Sequence, residues 1–314
     1  MSAKISVIIP TYNSEKIIAK CLGAIISCAQ NLDYEILIVD NNSQDATKEI
    51  VRKIANTNGQ VRLLERAENL GYGRALNFGS VNANGEFLVF MNPDVILKNN
   101  AFYLMLKKVE GGNYILAAPT LLNESGEKQI SVWSNFPSPL NLLFEYSMLN
   151  GFLKKLGVKR FPLYIYNYEP KPEVAPKVLS GAIWLIRKQD FEMLAGFDEN
   201  FFLFYEDTDF CRRLYIQNPN ALVLVSAAEA EHLEGRSSVA PHKKILDYSF
   251  FSLFYYLRKY YQPWQIFVFK LLAWCVSLIN FCLLSLINLF KRLRPNLMRR
   301  RKEYSYFLSN ALKF

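Results

Sequence analysis

Apolar runs of strand length alternate with helical spacings through the first hundred residues. Residues 5–9 (ISVII) and 35–39 (EILIV) are branched, apolar stretches that stop at polar, turn-forming residues, 10–14 and 40–43. Between them, residues 14–30 carry Ile17, Ile18, Cys21, Leu22, Ile25 and Ile26 at helical spacing behind a candidate cap, Ser14. Residues 46–56 and 70–82 read as two more helices, and 61–65 and 87–91 as two more strands. This repeated strand–helix order predicts a parallel sheet with right-handed crossovers and helices on its faces. Ligands of such sheets sit beyond the carboxyl ends of the strands. Here those ends are PTYNS, DNNSQD and MNPD, more polar than connections require.

Downstream the pattern loosens. Residues 98–110 and 188–195 have helical character, and 114–118 and 178–186 strand character. Residues 119–178 carry seven prolines and an aromatic run, FPLYIYNY, a composition suited to a long excursion lining a pocket. Residues 271–290 hold no charge over 20 positions, enough to cross a bilayer. At about 100° per residue, however, Ser277, Asn280, Ser285 and Asn288 share one arc with Lys270 and Lys291. That stripe predicts a helix lying in the membrane interface. A spanning or hairpin segment, or a buried helix of a larger core or oligomer contact, are the alternatives.

Charge sharpens the division. From residue 241 onward there are 13 Lys/Arg against 2 Asp/Glu, a net +11, so the first 240 residues carry −2 of the chain's +9. The basic character belongs to the tail, and the aromatic residues sit in apolar runs rather than between basic ones, which excludes a nucleic-acid binder and favours a membrane surface. Five cysteines without CxxC spacing suit a reducing compartment and exclude a structural zinc site. Residues near the N-terminus go straight into a strand-like run, unlike a signal peptide.

The stretch GFDENFFLFYEDTDFCRRL (196–214) concentrates candidate chemistry. Asp198, Glu199, Glu206, Asp207 and Asp209 stand among Phe201, Phe202, Phe204, Tyr205 and Phe210. Carboxylates held against apolar walls have shifted pKa values, as acid–base chemistry at neutral pH needs. An acidic helix start followed by Arg212 and Arg213 is the plainer reading, and the two are compatible.

Taken in order, SVIIPTYNS (6–14), ILIVDNNSQD (36–45), NLGYGRALNFG (69–79), FLVFMNPDV (87–95), residues 181–214 and His232 in HLEGRSS resemble glycosyltransferase family 2, nearest to rhamnosyltransferase-like members that build bacterial surface polysaccharides. The resemblance implies a GT-A fold, α/β and Rossmann-like, with a mostly parallel sheet flanked by helices and here followed by a C-terminal helical membrane-associating region. It implies a catalytic domain over 1–240, with a nucleotide-binding half at 1–97 and an acceptor half at 98–240, and an attachment region at 241–314. It also implies a nucleotide-diphosphate sugar donor, Mn²⁺ or Mg²⁺, and inversion at the transferred carbon.

Site residues follow from the same resemblance. Asp40 is expected to accept the N3–H of a pyrimidine base, with Pro10, Thr11, Tyr12 and Asn13 around it. Asn13 departs from the acidic residue common there, and Ser43 belongs to the same loop. Asn69, Gly71 and Arg74 are placed beside the donor, in a glycine pattern that does not match GxGxxG. Asn92-Pro93-Asp94 stands at the family's DXD motif, with Asp94 as metal ligand and Asn92 replacing the first acid. His232 completes the metal site, and Arg236 steadies the leaving diphosphate. Asp207 is the expected base and Glu206 its neighbour, with Trp133, Gly181 and Ala182 on the acceptor side. Trp133 and the aromatic stretch near residues 164–168 suit stacking on sugar rings or packing.

The expected acceptor is a polyprenyl-diphosphate-linked saccharide at the cytoplasmic face of the inner membrane, and dTDP-rhamnose is the first donor. A UDP-sugar hexosyl or N-acetylhexosaminyl transferase, and a catalytically silent glycan-binding scaffold, are the alternatives. An oligomer is compatible with all of them.

Overall fold

A computed structural model describes residues 5–29, 31–129, 133–147, 176–233, 242–290, 294–311 and 313. The elements in chain order begin with β1 (Ile5–Thr11), α1 (Ile18–Cys28), β2 (Tyr34–Asp40), α2 (Thr47–Thr57), β3 (Val61–Glu65), α3 (Tyr72–Val81) and β4 (Phe87–Met91). Next come β5 (Val95–Leu97), α4 (Ala101–Glu110), β6 (Leu116–Leu122), β7 (Trp133–Ser134), α5 (Pro139–Tyr146), β8 (Val178–Leu179) and β9 (Ile183–Arg187). The chain continues through α6 (Lys188–Met193), α7 (Glu206–Gln217), β10 (Leu222–His232), α8 (His242–Tyr260), α9 (Pro263–Phe290) and α10 (Pro295–Asn310). They divide into two compact units, Met1–Ser134 with Ile165–Pro241, and Asn135–Tyr164 with His242–Phe314.

The first unit is built on an eight-stranded sheet of order β3-β2-β1-β4-β9-β6-β10-β5. Its first four strands are parallel, as the sequence order predicts. Every residue of β1 and β2 is buried, which explains their unbroken apolar character: both faces of the strands are covered. Helix α1 buries Ile18, Cys21, Leu22 and Ile25, one face at helical spacing. Helix α3 approaches β1 so closely that a Cβ on Gly79 would lie 2.3 Å from the Ile8 methyl Cγ2.

The structure departs from the expected pattern in several places. Strand β9 runs antiparallel to both β4 and β6, so the sheet is mixed beyond β4. Strands β5 and β10 escape the sequence pattern. β5 is three residues long, and β10 is interrupted by a register shift between Val225 and Glu229. Ser14 does not cap a helix with its side chain. Its carbonyl accepts the N–H groups of Ile17 and Ile18, and α1 begins four residues later because a turn precedes it.

The second unit contains α5, α8, α9 and α10. Ser138 and Asn141 form a capping box at the start of α5, with Pro139 in the first turn. Leu284 of α9 and Tyr304 of α10 form a buried pair flanked by Phe281, Leu297 and Met298. The polar stripe foreseen on α9 exists, but it faces inward. Ser277 and Asn280 are only 3% and 5% exposed, and Ser285 Oγ accepts a hydrogen bond from Arg301 Nε at 2.9 Å. The opposite arc, including Trp264, Phe267, Leu271, Ile279, Leu286 and Leu289, is exposed. The stripe is taken up within the unit because side chains of α10 supply partners that the α9 sequence alone does not show. Over Pro263–Leu289 the helix is long and apolar enough to cross a membrane.

Candidate active site

The site gathers at the carboxyl ends of β1, β2 and β4 and is closed by α7. At the end of β2, Asp40 is fully buried, and its carboxylate is already engaged. It accepts hydrogen bonds from Thr11 Oγ1 (3.0 Å), Ser43 N–H (2.8 Å) and Ser43 Oγ (2.5 Å). Asn13, in a left-handed conformation, gives its N–H to Ser43 Oγ and accepts from the Gln44 N–H. Asp40, Thr11, Asn13 and Ser43 therefore form one brace between the β1 and β2 loops. Pro10 lies within β1, and Tyr12, just beyond it, is partly exposed.

Sequence reasoning passed over the neighbouring residue, Asn41. Its N–H bonds to the Thr11 carbonyl and its Nδ2 to the Gly71 carbonyl, leaving Oδ1 buried and without a hydrogen-bond partner. A buried acceptor without a donor is the mark of a missing ligand or water. The signal in the sequence was the doubled polar pair Asn41-Asn42 immediately after the strand.

Helix α3 enters beside this point. Asn69 Oδ1 accepts the Gly71 N–H, and Gly71 has φ of +96°, where a Cβ would lie 2.3 Å from the Phe202 carbonyl oxygen. The turn places the Tyr72 hydroxyl 2.6 Å from Asn92 Oδ1, to which it donates, and 3.2 Å from the Gly181 carbonyl. Burial first, then Glu206, Asp207 and Asp94, hold the Tyr72 phenol well above its ordinary pKa. Arg74 is turned to the 196–200 loop, where Nε meets the Glu199 carbonyl at 3.1 Å and its carboxylate at 3.6 Å.

Asp94 and His232 meet because β10 pairs antiparallel with β5, setting His232 opposite Val95. The Leu233 N–H also bonds the Asp94 carbonyl at 3.0 Å. Asp94 is fully buried, and neither carboxylate oxygen has a hydrogen-bond partner; His232 Nε2 stands 3.5 Å from Oδ1, an ion-pair separation too long for a good hydrogen bond. An unpaired buried carboxylate is costly unless a cation or proton compensates it. One carboxylate and one imidazole nitrogen suit a divalent metal such as Mn²⁺. Among the described residues no group of three or more His, Cys, Asp or Glu could hold a metal, so water, carbonyl or amide oxygens or a bound substrate would complete the coordination. Asn92 Oδ1 is occupied by Tyr72.

The third wall is α7. Phe204 and Tyr205 both have positive φ, 70° and 66°, and this strained entry aims Glu206 and Asp207 from the first turn of the helix. Around it, Phe90, Trp184, Phe191, Phe197 and Phe210 interlock with ring centroids 4.8–6.0 Å apart. Arg213 ties the start of the segment to the helix, reaching Asp209 (2.8 Å) and the carbonyls of Leu194 (2.5 Å) and Gly196 (2.7 Å). The five acids thus separate: Asp209 pairs with Arg213, Glu199 with Arg74, Asp198 caps a turn at Asn200, and Glu206 and Asp207 remain.

Asp207 Oδ2 accepts the Gly181 N–H at 3.0 Å, and Oδ1 accepts the Thr208 N–H. Burial raises its pKa, and these hydrogen bonds oppose the rise. Glu206, with Oε2 buried and unpartnered, is pushed up to about 8 by burial and then by Asp207. The Ala182 carbonyl accepts the Asn92 N–H at 2.8 Å. The 181–182 turn therefore joins the β4 motif to α7, and Tyr72 touches both sides. Trp133 lies in β7, paired with Leu179, and its side chain is outside the described residues, as are Arg236 and the 164–168 stretch.

The sheet order, with the candidate residues gathered at its strand ends, is that of a GT-A fold. The chain belongs to glycosyl transferase family 2, whose pattern matches residues 6–192. It is similar to the rhamnosyltransferase WbbL of Escherichia coli strain K12, 24% identical over 81% of this chain and 92% of that protein. It is 41% identical to the glycosyltransferase AglE of Haloferax volcanii, but only over 29% of this chain and 30% of that protein's length. Among solved structures, the mannosyltransferase PcManGT of Pyrobaculum calidifontis, in complex with GDP-Man and Mn²⁺, shares the fold. Its TM-score is 0.58 at 14% identity, covering 100% of this chain and 87% of that one.

Proposed function

We propose that the protein is an inverting, metal-dependent glycosyltransferase that moves a sugar from a nucleotide-diphosphate donor to a lipid-linked saccharide, in the synthesis of a cell-surface polysaccharide. The observation that supports this reading is the hydrogen-bonded bridge from Asn92 through Tyr72 and the 181–182 turn to Asp207, which links the Asn92-Pro93-Asp94 turn to the start of α7. Asp94 and His232 would hold Mn²⁺ or Mg²⁺, which when bound would neutralise charge on the departing diphosphate.

The chain's own residues would act as follows. Asp40, braced by Thr11 and Ser43, would accept the N3–H of the donor's base, with the unpartnered Oδ1 of Asn41 beside it as a further acceptor. Asp207 would take the proton of the acceptor hydroxyl as it attacks opposite the leaving group. A protonated Glu206 would leave Asp207 the only negative charge of the adjacent pair. It would also supply a donor for an acceptor hydroxyl.

Similarity to WbbL across most of both chains supports rhamnose, from dTDP-rhamnose, as the first donor to test. A UDP-sugar is the second. The outward apolar arc of α9 and the basic tail support attachment to the cytoplasmic leaflet, where a polyprenyl-diphosphate-linked acceptor resides. The catalytic domain would span 1–240 and the attachment region 241–314. A silent glycan-binding scaffold is disfavoured by the buried Asp94 carboxylate, which faces His232 without a hydrogen-bond partner.

The test is transfer with purified protein, candidate donors and Mn²⁺. Asp207→Asn should lower kcat by about 10²–10⁴-fold, the usual worth of a general base, with donor affinity retained. Undiminished turnover in that variant would remove Asp207 from the reaction.

A further inference from the structure

Gln129 arrives at the site on a tight hairpin after β6, in which Asn123 Oδ1 accepts the N–H groups of Ser125 and Glu127. The Gln129 N–H bonds the Leu121 carbonyl at 2.9 Å, which fixes its backbone. Its side chain clamps residue 232 twice. Nε2 donates to the His232 main-chain carbonyl at 2.8 Å, and Oε1 lies 3.2 Å from the ring nitrogen Nδ1. The direction of both bonds is forced, because a carbonyl cannot donate and so must face the amide's NH₂ end. The end facing the ring is therefore an acceptor, and Nδ1 carries a hydrogen. In the neutral imidazole, Nε2 is then a bare lone pair, and it faces Asp94 Oδ1 at 3.5 Å. A buried carboxylate oxygen and an imidazole lone pair then confront each other with no hydrogen between them, which is the arrangement a cation satisfies.

We propose that Gln129 is a positioning residue for the divalent cation: it selects the Nδ1–H tautomer of His232 and so keeps Nε2 open as a ligand. The inference rests on the reading of Asp94 and His232 as the cation's site. Outer partners of this kind hold a ligating imidazole in tautomer and orientation, and their loss typically weakens metal binding about 10–100-fold.

Long-range ¹H–¹⁵N NMR of the full-length, metal-free protein, above the ordinary imidazole pKa, reads the tautomer directly. The chain has two histidines, and His242→Gln identifies the signal of His232. The wild type should show Nδ1–H alone. Gln129→Leu should give Nε2–H or a mixture, and Mn²⁺ affinity, read from the free-ion EPR signal, should fall about 10–100-fold. Gln129→Glu, which keeps an acceptor at Nδ1, should retain the tautomer. An Nε2–H signal in the wild type, or an unchanged tautomer or Mn²⁺ affinity in Gln129→Leu, would overturn the proposal. If Asp94→Asn and His232→Gln both bind Mn²⁺ as the wild type does, the site reading itself fails.

Discussion

Side by side, Glu206 and Asp207 show how one residue step separates two chemical roles. Glu206 is 6% exposed with an unpartnered Oε2, whereas Asp207 is anchored by main-chain N–H groups of Gly181 and Thr208. Burial favours the neutral form of the first, and hydrogen bonds moderate the same push on the second. A folded-state pKa of about 8 lies above the ordinary value of 4.5, so the folded protein binds the proton more tightly than the unfolded chain. The stabilising contribution is complete below 4.5 and is lost as pH rises towards 8. Glu206→Gln should remove this dependence, flattening the fall in Tm over that window and raising stability at its alkaline end by on the order of a few kcal/mol. Parallel pH profiles of Tm for the two proteins would refute the assignment. Asp40 and Asn41 teach a related lesson. The sequence points to the acidic residue; the structure braces that acid with Thr11 and Ser43 and shows a second acceptor beside it, the unpartnered Oδ1 of Asn41.

Among the elements, the 181–182 turn and the entry to α7 hold the site in register. Gly181 fits only because it has no side chain: a Cβ would lie 2.8 Å from Asp207 Cβ and 3.1 Å from Oδ2. Gly181→Ala should therefore push the carboxylate off the Gly181 N–H, lowering kcat by about tenfold or more while donor binding survives. Wild-type kcat in that variant would show that the close approach has no catalytic consequence. The first half of the sheet was legible because β1, β2 and β4 are uniformly buried and α1 repeats its apolar face at helical spacing. Strand β10 was not. Its register shift and partly exposed positions break the alternation that marks a strand, yet it delivers His232 to Asp94.

At the scale of the whole chain, the second unit shows what the stripe on one helix leaves open. A polar stripe on α9 suggests a face turned to water, but Ser277, Asn280 and Ser285 are used within the unit, and the large apolar side chains point outward. An outward apolar arc of this extent is suited to lipid. Replacing exposed Leu271, Ile279 and Leu286 together by Glu should release the protein from vesicles, since each side chain withdrawn from lipid forgoes about 1.5–3 kcal/mol. Sedimentation with vesicles as in wild type would refute lipid contact by this face. The sequence by itself determined the alternating strand–helix architecture, the polar strand ends and the family, because each is written in local periodicity or in contiguous motifs. Only the tertiary structure decided which acid is a brace, which asparagine oxygen is left open, how Gln129 orients His232, and which way α9 faces. Those outcomes depend on partners distant along the chain, which no local pattern records.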